Sequence, residues 1–534
     1  MANRGLFHGS AALAVPTADV VNEAGGVAYA MTSRHALAQY AVTGCLNGTF
    51  YADAEDQLKK VLELVKDVDS EFIGKVAVYS RQRGNMKDMP ALLCVALASR
   101  MVPAKGREES AKAAAVLKAV FPQVIDNGKM LRNFVQILRS SPLGRKAMGT
   151  ALKRLIATWF ATRKADVIFK QSVGQKPTMG DVVALAHPKP VNAEHEALFG
   201  YFVGSKKVKV ENLPPLVKAY EAWKVDTTQP TPDVPFEMLS AHQLTKAQWT
   251  EAALRGGWQM VRMNLATFAR HGVFEDKKVV KAIAEKLRDP EQVKRARVMP
   301  YQLLIAYLNT ERGAGVPTEI TLALQDAMEI AVANVPKIDG DVIVCPDASG
   351  SMESPATGHR KGATSAVTCR HVAALVAASV LRANPQARVI PFTDKVHSVR
   401  LNPRDSIMTN TQVLAKVPAG GTACSAPLAL LNEEKAHVDV VIFVSDNQSW
   451  VDVPGDGFYG QGGTKTMVEW AKIKKRCPKA KMACIDVQPY PHVQAKDHED
   501  IINIGGFSDA VFDVISTFVE SRNADHWVEV IEKM

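Results

Sequence analysis

The sequence predicts a chain in two parts, an α-helical solenoid over residues 1–340 and a doubly wound, Rossmann-like α/β domain over residues 341–534. Apolar residues recur at helical spacing throughout the first part, whereas apolar runs typical of strands alternate with helical segments in the second. The two parts also differ in net charge. A chain of 534 residues is long enough for more than one domain.

The first part is a succession of amphipathic segments. Residues 53–68 place leucines and valines on one stripe behind Asp53, which is positioned as a helix cap. Residues 90–101 are apolar nearly all round, which predicts a buried helix. Further helices are predicted at 109–125, 129–140, 145–160, 248–272, 276–290 and 300–313. Helices of this length with short turns suit a solenoid of degenerate helical pairs, and a plain helical bundle fits the same periodicity.

The pattern changes near residues 335–341. The runs "DVIVCPD", "ARVIPFTD", "DVVIFVSD" and "AKMACIDV" predict strands, and helices are predicted at 364–383, 465–476 and 508–521. Alternating strands and helices imply a parallel sheet. The strand runs are almost continuously apolar, which indicates that helices cover both faces of that sheet.

Composition indicates the cellular compartment in which the protein functions. Hydrophobic residues make up 47% and charged residues 22% of the chain, as in ordinary globular proteins. Seven cysteines without any CxxC pair argue against a zinc site or a disulfide framework, and they favour a reducing compartment. The N-terminus lacks a secretory signal, and the longest apolar tract, residues 372–381, is shorter than a membrane span. We therefore expect a cytoplasmic protein without membrane contact.

The positive charge is confined to the first part. Residues 341–534 contain 20 Lys+Arg and 22 Asp+Glu, so 45 of the 65 basic and 33 of the 55 acidic residues belong to residues 1–340. The first part therefore carries a net charge of +12 and the second −2. Such an asymmetry suggests a polyanionic partner for the first part.

Oxygen-bearing side chains cluster where the predicted strands end. The stretch "CPDASGSME" puts Asp347, Ser349 and Ser351 at alternate positions after one strand, and Asp446 follows another. Between them, the Gly-Gly turn of "PAGGTACSAP" exposes Thr422. The first stretch alone would also fit an ordinary turn. Because ligands bind at the carboxyl ends of such strands, the five residues together predict a site for Mg²⁺ or another divalent cation, with a position open to an outside carboxylate.

These five residues resemble the metal-ion-dependent adhesion site of a von Willebrand factor A domain, and all five expected positions are filled. In the first part, "RQRGNMKDMPALLCVALAS" and "RVMPYQLLIAYLNTERG" are similar to the TROVE module. In the second, "FVSDNQSW" and "GGFSDAVFDVISTF" resemble A domains of the Ro type. From about Asn22 to Phe518, the chain is identified as a member of the Ro autoantigen family, of bacterial type.

The resemblance implies a ring of HEAT-like helical repeats closed by the A domain. In this family, small structured Y RNAs bind the basic outer face, and single-stranded ends of misfolded RNAs enter a central hole. The implied function is RNA binding without catalysis, for RNA quality control or for tethering RNA to an exoribonuclease such as polynucleotide phosphorylase. A monomer is expected. The basic excess of the first part agrees with these expectations.

The family also suggests RNA contacts. His187 and Lys189 lie in "ALAHPKP", which matches a family turn, and prolines on both sides of Lys189 should fix the geometry of both side chains. A packing role is the alternative for His187. Lys170 matches a basic position of the family, although the loop at residues 159–168 is shorter than in animal relatives. The next basic position of the family falls on "VGQK", where only Lys176 offers charge. The remaining candidates, for which a solvated loop is the alternative, are Arg81, Arg83 and Lys87.

The sequence also bears on two functions other than RNA binding. A metal-dependent protein-interaction or assembly factor, whose A domain captures an Asp or Glu of a partner, stays open beside the RNA-binding function. A hydrolase is disfavoured, because the sequence has neither a Gly-x-Ser-x-Gly elbow nor a P-loop, and Ser349 stands where a DxD phosphatase has an acid.

Overall fold

The structure is a computed structural model that describes residues 15–44, 47, 49–101, 106–140, 148–174, 176–296, 298, 300–311, 315–333, 335–356, 358, 367–451, 462–506, 508, 510–520 and 527–534. These residues fall into two compact units. The first unit comprises the described residues of Met1–Asp67, Arg288–Glu311 and Thr321–Met534. The second unit comprises those of Val68–Leu287 and Arg312–Ile320.

The part before residue 340 is mainly helical, as predicted, but begins with two short strands. The strands are β1 (Val20–Val21) and β2 (Val27–Ala30). The helices described there are α1 (Ser33–Thr43), α2 (Ala54–Asp67), α3 (Ser70–Gln82), α4 (Asp88–Arg100), α5 (Arg107–Val124), α6 (Gly128–Arg139), α7 (Thr150–Ala161), α8 (Ala165–Lys170), α9 (Met179–Ala186), α10 (Ala193–Phe202), α11 (Pro215–Val225), α12 (Phe236–Leu239), α13 (Lys246–Arg255), α14 (Trp258–Met263), α15 (Leu265–Arg270), α16 (Lys277–Leu287), α17 (Pro290–Ala296), α18 (Pro300–Glu311) and α19 (Thr318–Ala331).

Local sequence sets where several of these helices begin. Asp53 caps α2 as predicted, since its carboxylate accepts hydrogen bonds from two N–H groups of the first turn at 2.8 and 2.9 Å. Thr178 and Thr245 begin α9 and α13 with capping boxes. Helices close in sequence pack on one another, α3 on α4 and α5, and α4 on α6. This local packing agrees with helical pairs, whereas the ring stays a prediction.

The part after residue 340 contains the predicted parallel sheet. Its elements are β3 (Val342–Pro346), α20 (Cys369–Ala383), β4 (Arg388–Val389), α21 (Ile407–Ala415), α22 (Ala426–Glu433), β5 (Val440–Ser445), α23 (Lys465–Arg476), β6 (Lys481–Asp486), β7 (His492–Val493), β8 (Ile501–Gly505), α24 (Ala510–Glu520) and α25 (Trp527–Glu532). Five strands pair in parallel in the order β4-β3-β5-β6-β8. Every residue of β3 and β5 is buried, because α20 packs on these strands and side chains of α22 and α23 share a core with them.

A second, antiparallel sheet has the order β1-β2-β7 and joins distant parts of the chain. Tyr29 of β2 pairs with Val493 of β7, and its side chain is fully buried in the core of the five-stranded sheet. The hydroxyl of Tyr29 also accepts a hydrogen bond from the N–H of Thr464 at 3.2 Å. The N-terminal segment thus belongs to the first unit, so the compact units do not follow the change of sequence pattern at residues 340–341.

Some predicted elements differ in the structure. The run "ARVIPFTD" contributes only the two residues of β4, and the sequence did not predict α21. The sequence did not predict β8. The helical run predicted at 248–272 is three helices, because Gly256 and Gly257 separate α13 from α14, and Asn264 separates α14 from α15. The first residues of the helix predicted at 364–383 lie outside the described part.

Charge separates more sharply between the compact units than between the predicted domains. The second unit contains 35 Lys+Arg and 20 Asp+Glu, a net of +15, whereas the first contains 30 and 35, a net of −5. The difference arises mainly because residues 1–67 and residues 321–340, each with a net charge of −2, belong to the first unit. Within the described ranges, no helix is both long and apolar enough to cross a membrane.

Candidate functional site

Three of the predicted metal ligands lie directly after β3 and are almost fully buried: Asp347, Ser349 and Ser351. Oδ1 of Asp347 accepts a hydrogen bond from the N–H of Ser349 at 2.7 Å, and the hydroxyl oxygens of Ser349 and Ser351 are 3.2 Å apart. Oδ2 of Asp347 accepts a hydrogen bond from the hydroxyl of Ser445 at 2.6 Å. The turn therefore gathers hard oxygen atoms at one buried point.

Asp446 follows β5 and lies beside this turn, because β3 and β5 are parallel neighbours whose C-terminal ends meet. Its Oδ1 accepts a hydrogen bond from the N–H of Gln448 at 3.2 Å, whereas Oδ2 is buried and has no hydrogen-bond partner among the described residues. Burial, followed by the charge of Asp347, raises the pKa of Asp446 to about 7. Burial also raises the pKa of Asp347. Two adjacent buried carboxylates are costly unless a cation neutralises them.

Thr422 is buried in the loop before α22, and backbone hydrogen bonds connect this loop to the segments that follow β3 and β5. Its carbonyl oxygen accepts hydrogen bonds from the N–H groups of Trp450 and Val451, both at 3.1 Å. These two residues follow Asp446 in the chain. Two residues earlier, the carbonyl of Gly420 accepts a hydrogen bond from the N–H of Gly350 at 3.0 Å. The structure thus brings the five predicted residues to one edge of the sheet. Their binding of a metal ion stays a prediction.

Sequence reasoning missed two polar residues of this region. Ser445 orients the Asp347 carboxylate, but its role depends on the pairing of β3 with β5, which the sequence does not reveal. Asp486 ends β6, and the side-chain amide of Asn447 donates to its carboxylate. Burial and the nearby charge of Asp446 raise its pKa well above the ordinary value. The acid at the end of "AKMACID" was a usable signal, since it follows a strand as Asp347 does.

The N-terminal segment also reaches this site. The hydroxyl of Tyr51 lies near the Ser351 side chain, and burial together with the charge of Asp446 raises the pKa of Tyr51 to about 12. Glu23 forms a hydrogen-bonded ion pair with His492 of β7. These residues are separated from the strand ends by hundreds of positions in sequence, so no local pattern indicates their role.

The predicted RNA-binding turn follows α9. His187 is the C-cap of this helix in the left-handed conformation, with φ 49° and ψ 55°, and its N–H donates to the carbonyl of Val183 at 2.9 Å. The side chains of His187 and Lys189 are exposed, whereas Pro188 between them is buried. The alternative in which His187 is a buried packing residue is therefore wrong for this structure. RNA contact at His187 and Lys189 stays a prediction.

Two of the other candidates are engaged in ion pairs. Lys170 ends α8 and pairs with the carboxylate of Asp233 at 2.5 Å. Arg81, only 15% exposed, binds both carboxylate oxygens of Asp126 at 2.8 and 2.9 Å and donates to the carbonyl of Met86 at 3.1 Å. Arg81 thus connects the end of α3 to the turn before α6, which is a structural role that the charge pattern did not reveal.

The last three candidates are exposed: Lys176, Arg83 and Lys87. Lys87 is nevertheless partly shielded from water, and this shielding, together with the nearby charges of Lys129 and Arg81, lowers its pKa. Lys129, in the first turn of α6, was not singled out from the sequence. A lysine whose pKa is lowered by neighbouring cations lies in a positive potential, which suits an anion.

The fold and the site define the second part of the chain as a von Willebrand factor A domain. A family model of the Ro60 vWA domain matches residues 342–519. The chain is 26% identical to the RNA-binding protein RO60 of Deinococcus radiodurans, over 94% of this chain and 96% of that protein. It is 20% identical to the RNA-binding protein RO60 of Caenorhabditis elegans, over 95% of this chain and 91% of the relative.

A solved structure agrees with this assignment at the level of the fold. The crystal structure of the Deinococcus radiodurans RO (RSR) protein matches with a TM-score of 0.62 and 22% identity, over 91% of this chain and 99% of that one. The chain is therefore similar to Ro proteins along more than 90% of its length, with a higher identity to the bacterial relative than to the nematode one.

Proposed function

We propose that this protein is a non-catalytic RNA-binding protein of the Ro type, which binds small structured RNAs, Y RNAs among them, through its second unit. Two relatives that match more than 90% of the chain are named RNA-binding proteins. The second unit carries a net charge of +15, which suits the phosphate backbone of RNA. Structured RNA is recognised mainly through its shape and backbone, so charge and fixed geometry matter more than base contacts.

The observation that carries this proposal is the turn at residues 187–189. Pro188 is buried and anchors the turn, while the exposed imidazole of His187 and ammonium of Lys189 flank it. The left-handed backbone of His187 ends α9 and fixes where the imidazole projects. An imidazole donates to a phosphate or a 2′-hydroxyl, and the lysine adds a point charge beside it.

Substitution of this turn tests the proposal. With a small stem-loop RNA as the probe, His187→Ser is expected to weaken binding by about 1–3 kcal/mol, the range for hydrogen bonds to charged groups. Lys189→Ala should weaken binding and reduce the slope of log K against log salt by about one. Because both side chains are exposed, the melting temperature should change little.

The matched controls are exposed residues of the first unit, namely His437→Ser and Lys475→Ala, which should leave RNA affinity unchanged. Melting temperature and RNA affinity are measured on the same preparation of each variant. A His187→Ser protein with the parent's RNA affinity would refute the proposed contact.

We also propose that the first unit binds Mg²⁺ or another divalent cation. Ser349, Ser351 and Thr422 bind the ion directly, and Asp347 and Asp446 bind it directly or through water. The buried Asp446 Oδ2 without a hydrogen-bond partner among the described residues supports this proposal, because a cation would satisfy it. A bound ion supplies an open coordination position for a carboxylate. This favours a second function beside RNA binding, the metal-dependent capture of a protein partner.

The finer points of the proposed function follow from the family resemblance. We propose that single-stranded ends of misfolded RNAs are also bound, that the bound RNA is sorted or tethered to an exoribonuclease, and that the protein acts as a monomer. A cytoplasmic location is supported by the cysteines, since the six within the described part are buried and form no disulfide with one another.

A further inference from the structure

An apolar surface that metal coordination does not use borders the proposed metal site. Trp450 and Val451 follow Asp446 and expose 46% and 37% of their surface. Their N–H groups both donate to the carbonyl of Thr422, so their backbone is fixed beside that ligand. A Cβ atom on Gly421 would lie 3.0 Å from the Trp450 ring and 2.5 Å from the Val451 side chain. Both side chains therefore lie over the glycine turn that presents Thr422.

The N-terminal segment supplies aromatic residues to the same site. Phe50 exposes 55% of its surface, and its ring lies edge to face against Tyr51 with 4.8 Å between centroids. The Tyr51 hydroxyl neighbours Ser351, which connects this pair to the proposed ligands. The segment is held in place, because Tyr490 contacts the Tyr51 ring at 6.1 Å and donates a hydrogen bond to the hydroxyl of Thr49 at 2.9 Å.

We propose that this aromatic rim, defined as Phe50, Tyr51, Trp450 and Val451, makes the site select a protein segment in which an Asp or Glu has an apolar neighbour. The acidic side chain takes the open position on the metal, and the Tyr51 hydroxyl donates to its second oxygen. The apolar neighbour packs on Trp450 and Val451. This inference rests on the proposed metal-dependent capture and names the partner's chemistry.

Charge favours a protein segment over RNA as the occupant. The first unit carries a net charge of −5, so it repels a polyanion more strongly than a segment with a single carboxylate. The rim side chains are apolar or aromatic, and burial of an apolar neighbour on them is favourable in a way that a phosphate backbone cannot reproduce. A short mixed segment therefore suits this surface.

Ligand-observed NMR with the full chain tests the inference. The probes are the capped peptides Gly-Leu-Asp-Leu-Gly, Gly-Ser-Asp-Ser-Gly and Gly-Leu-Asn-Leu-Gly, with hexauridylate as the RNA probe. With Mn²⁺ in place of Mg²⁺, the ion broadens the proton signals of any probe bound beside it. We expect the first peptide to bind about fivefold tighter than the second, since a half-buried leucine gains roughly 1 kcal/mol. The asparagine peptide and hexauridylate should not be broadened.

Variants separate the parts of the inference. Trp450→Ala should abolish the preference for leucine over serine, and Tyr51→Phe should weaken both aspartate peptides equally. Met263→Ala, an exposed apolar residue of the second unit, is the control and should change neither result. Equal binding of the two aspartate peptides, or broadening of hexauridylate instead, would overturn the inference.

The metal site is checked separately by Mn²⁺ binding, measured from the electron paramagnetic resonance signal of the free ion. Absence of Mn²⁺ binding would overturn the proposed metal site and the rim together. Normal Mn²⁺ binding without a peptide preference would overturn the rim alone.

Discussion

Asp446→Asn distinguishes a metal site from an ordinary buried turn. Asp446 and Asp347 are both buried, and one oxygen of Asp446 has no hydrogen-bond partner within the described part of the chain. Asparagine has nearly the same shape, and its side-chain oxygen can still accept the hydrogen bond from the N–H of Gln448. The substitution therefore removes one negative charge with little change of packing.

The expected magnitude follows from the pKa. Burial and the charge of Asp347 raise the pKa of Asp446 from the ordinary value of 3.8 to about 7. This rise in the pKa of Asp446 means that the ionised carboxylate destabilises the folded state by about 4 kcal/mol. Without metal, Asp446→Asn should therefore raise the free energy of unfolding by about 2–4 kcal/mol at pH 7. Mg²⁺ at about 1,000 times its Kd should stabilise the parent by about 4 kcal/mol and the variant much less.

The assay is urea unfolding of the full chain, followed by tryptophan fluorescence in EDTA and in Mg²⁺. The gap between variant and parent should be present in EDTA and close in Mg²⁺. Glu433→Gln is the matched control, because Glu433 ends α22 and is exposed, so the effect of removing its charge should be equal in both buffers. A variant less stable than the parent in EDTA, or equally stabilised by Mg²⁺, would refute the reasoning.

Three further predictions follow from the same contacts. The folded-state pKa of Asp446 lies above its unfolded-state value, so the stability of the metal-free protein should fall as pH rises from about 4 to 7. Urea unfolding at several pH values measures this slope, and Mg²⁺ should flatten it. A stability that rises with pH in EDTA would contradict this prediction. EDTA should leave stem-loop RNA affinity within a few-fold, since the basic excess belongs to the second unit; a loss of an order of magnitude in filter binding would show that the metal participates. Arg81→Ala should lower the free energy of unfolding, measured in urea, by about 1–3 kcal/mol because the contacts with Asp126 are lost. At temperatures where this variant is folded, its RNA affinity should change little. Arg83→Ala is the comparison and should change stability less.

The sequence predicted those parts of the fold and site that depend on local patterns. The residues after β3 and β5 were predicted because the sequence shows where each strand ends and which oxygen-bearing side chains follow it. The carboxyl ends of parallel strands meet at one edge of the sheet, which brings these side chains together. The pairing of β2 with β7 was not found, since it joins residues more than 450 positions apart. The same applies to Tyr51, which reaches the site only through the packing of the N-terminal segment.

Charged residues show a different limit of sequence reasoning. Arg81 and Arg83 lie two positions apart in one basic loop, and the sequence predicts the same role for both. In the structure, Arg81 forms three hydrogen bonds to Asp126, a residue 45 positions away, whereas Arg83 is exposed. Charge counts therefore predict which unit attracts a polyanion, but only the contacts in the structure show that Arg81 is already engaged by Asp126.

The compact units give the two proposals separate physical bases. Residues 1–67 and residues 321–340 belong to the same unit as the A domain, so the second unit is more basic, at +15, than the predicted first domain, at +12. All five proposed metal ligands and the aromatic rim lie in the first unit, whereas His187 and Lys189 lie in the second. The two proposed sites share no residue, so neutralising the carboxylate pair of the first unit removes no contact from the turn at His187 and Lys189. Asp446→Asn should therefore leave RNA affinity unchanged, and His187→Ser should leave Mg²⁺ binding unchanged; reciprocal losses would instead require a conformational change shared by both units.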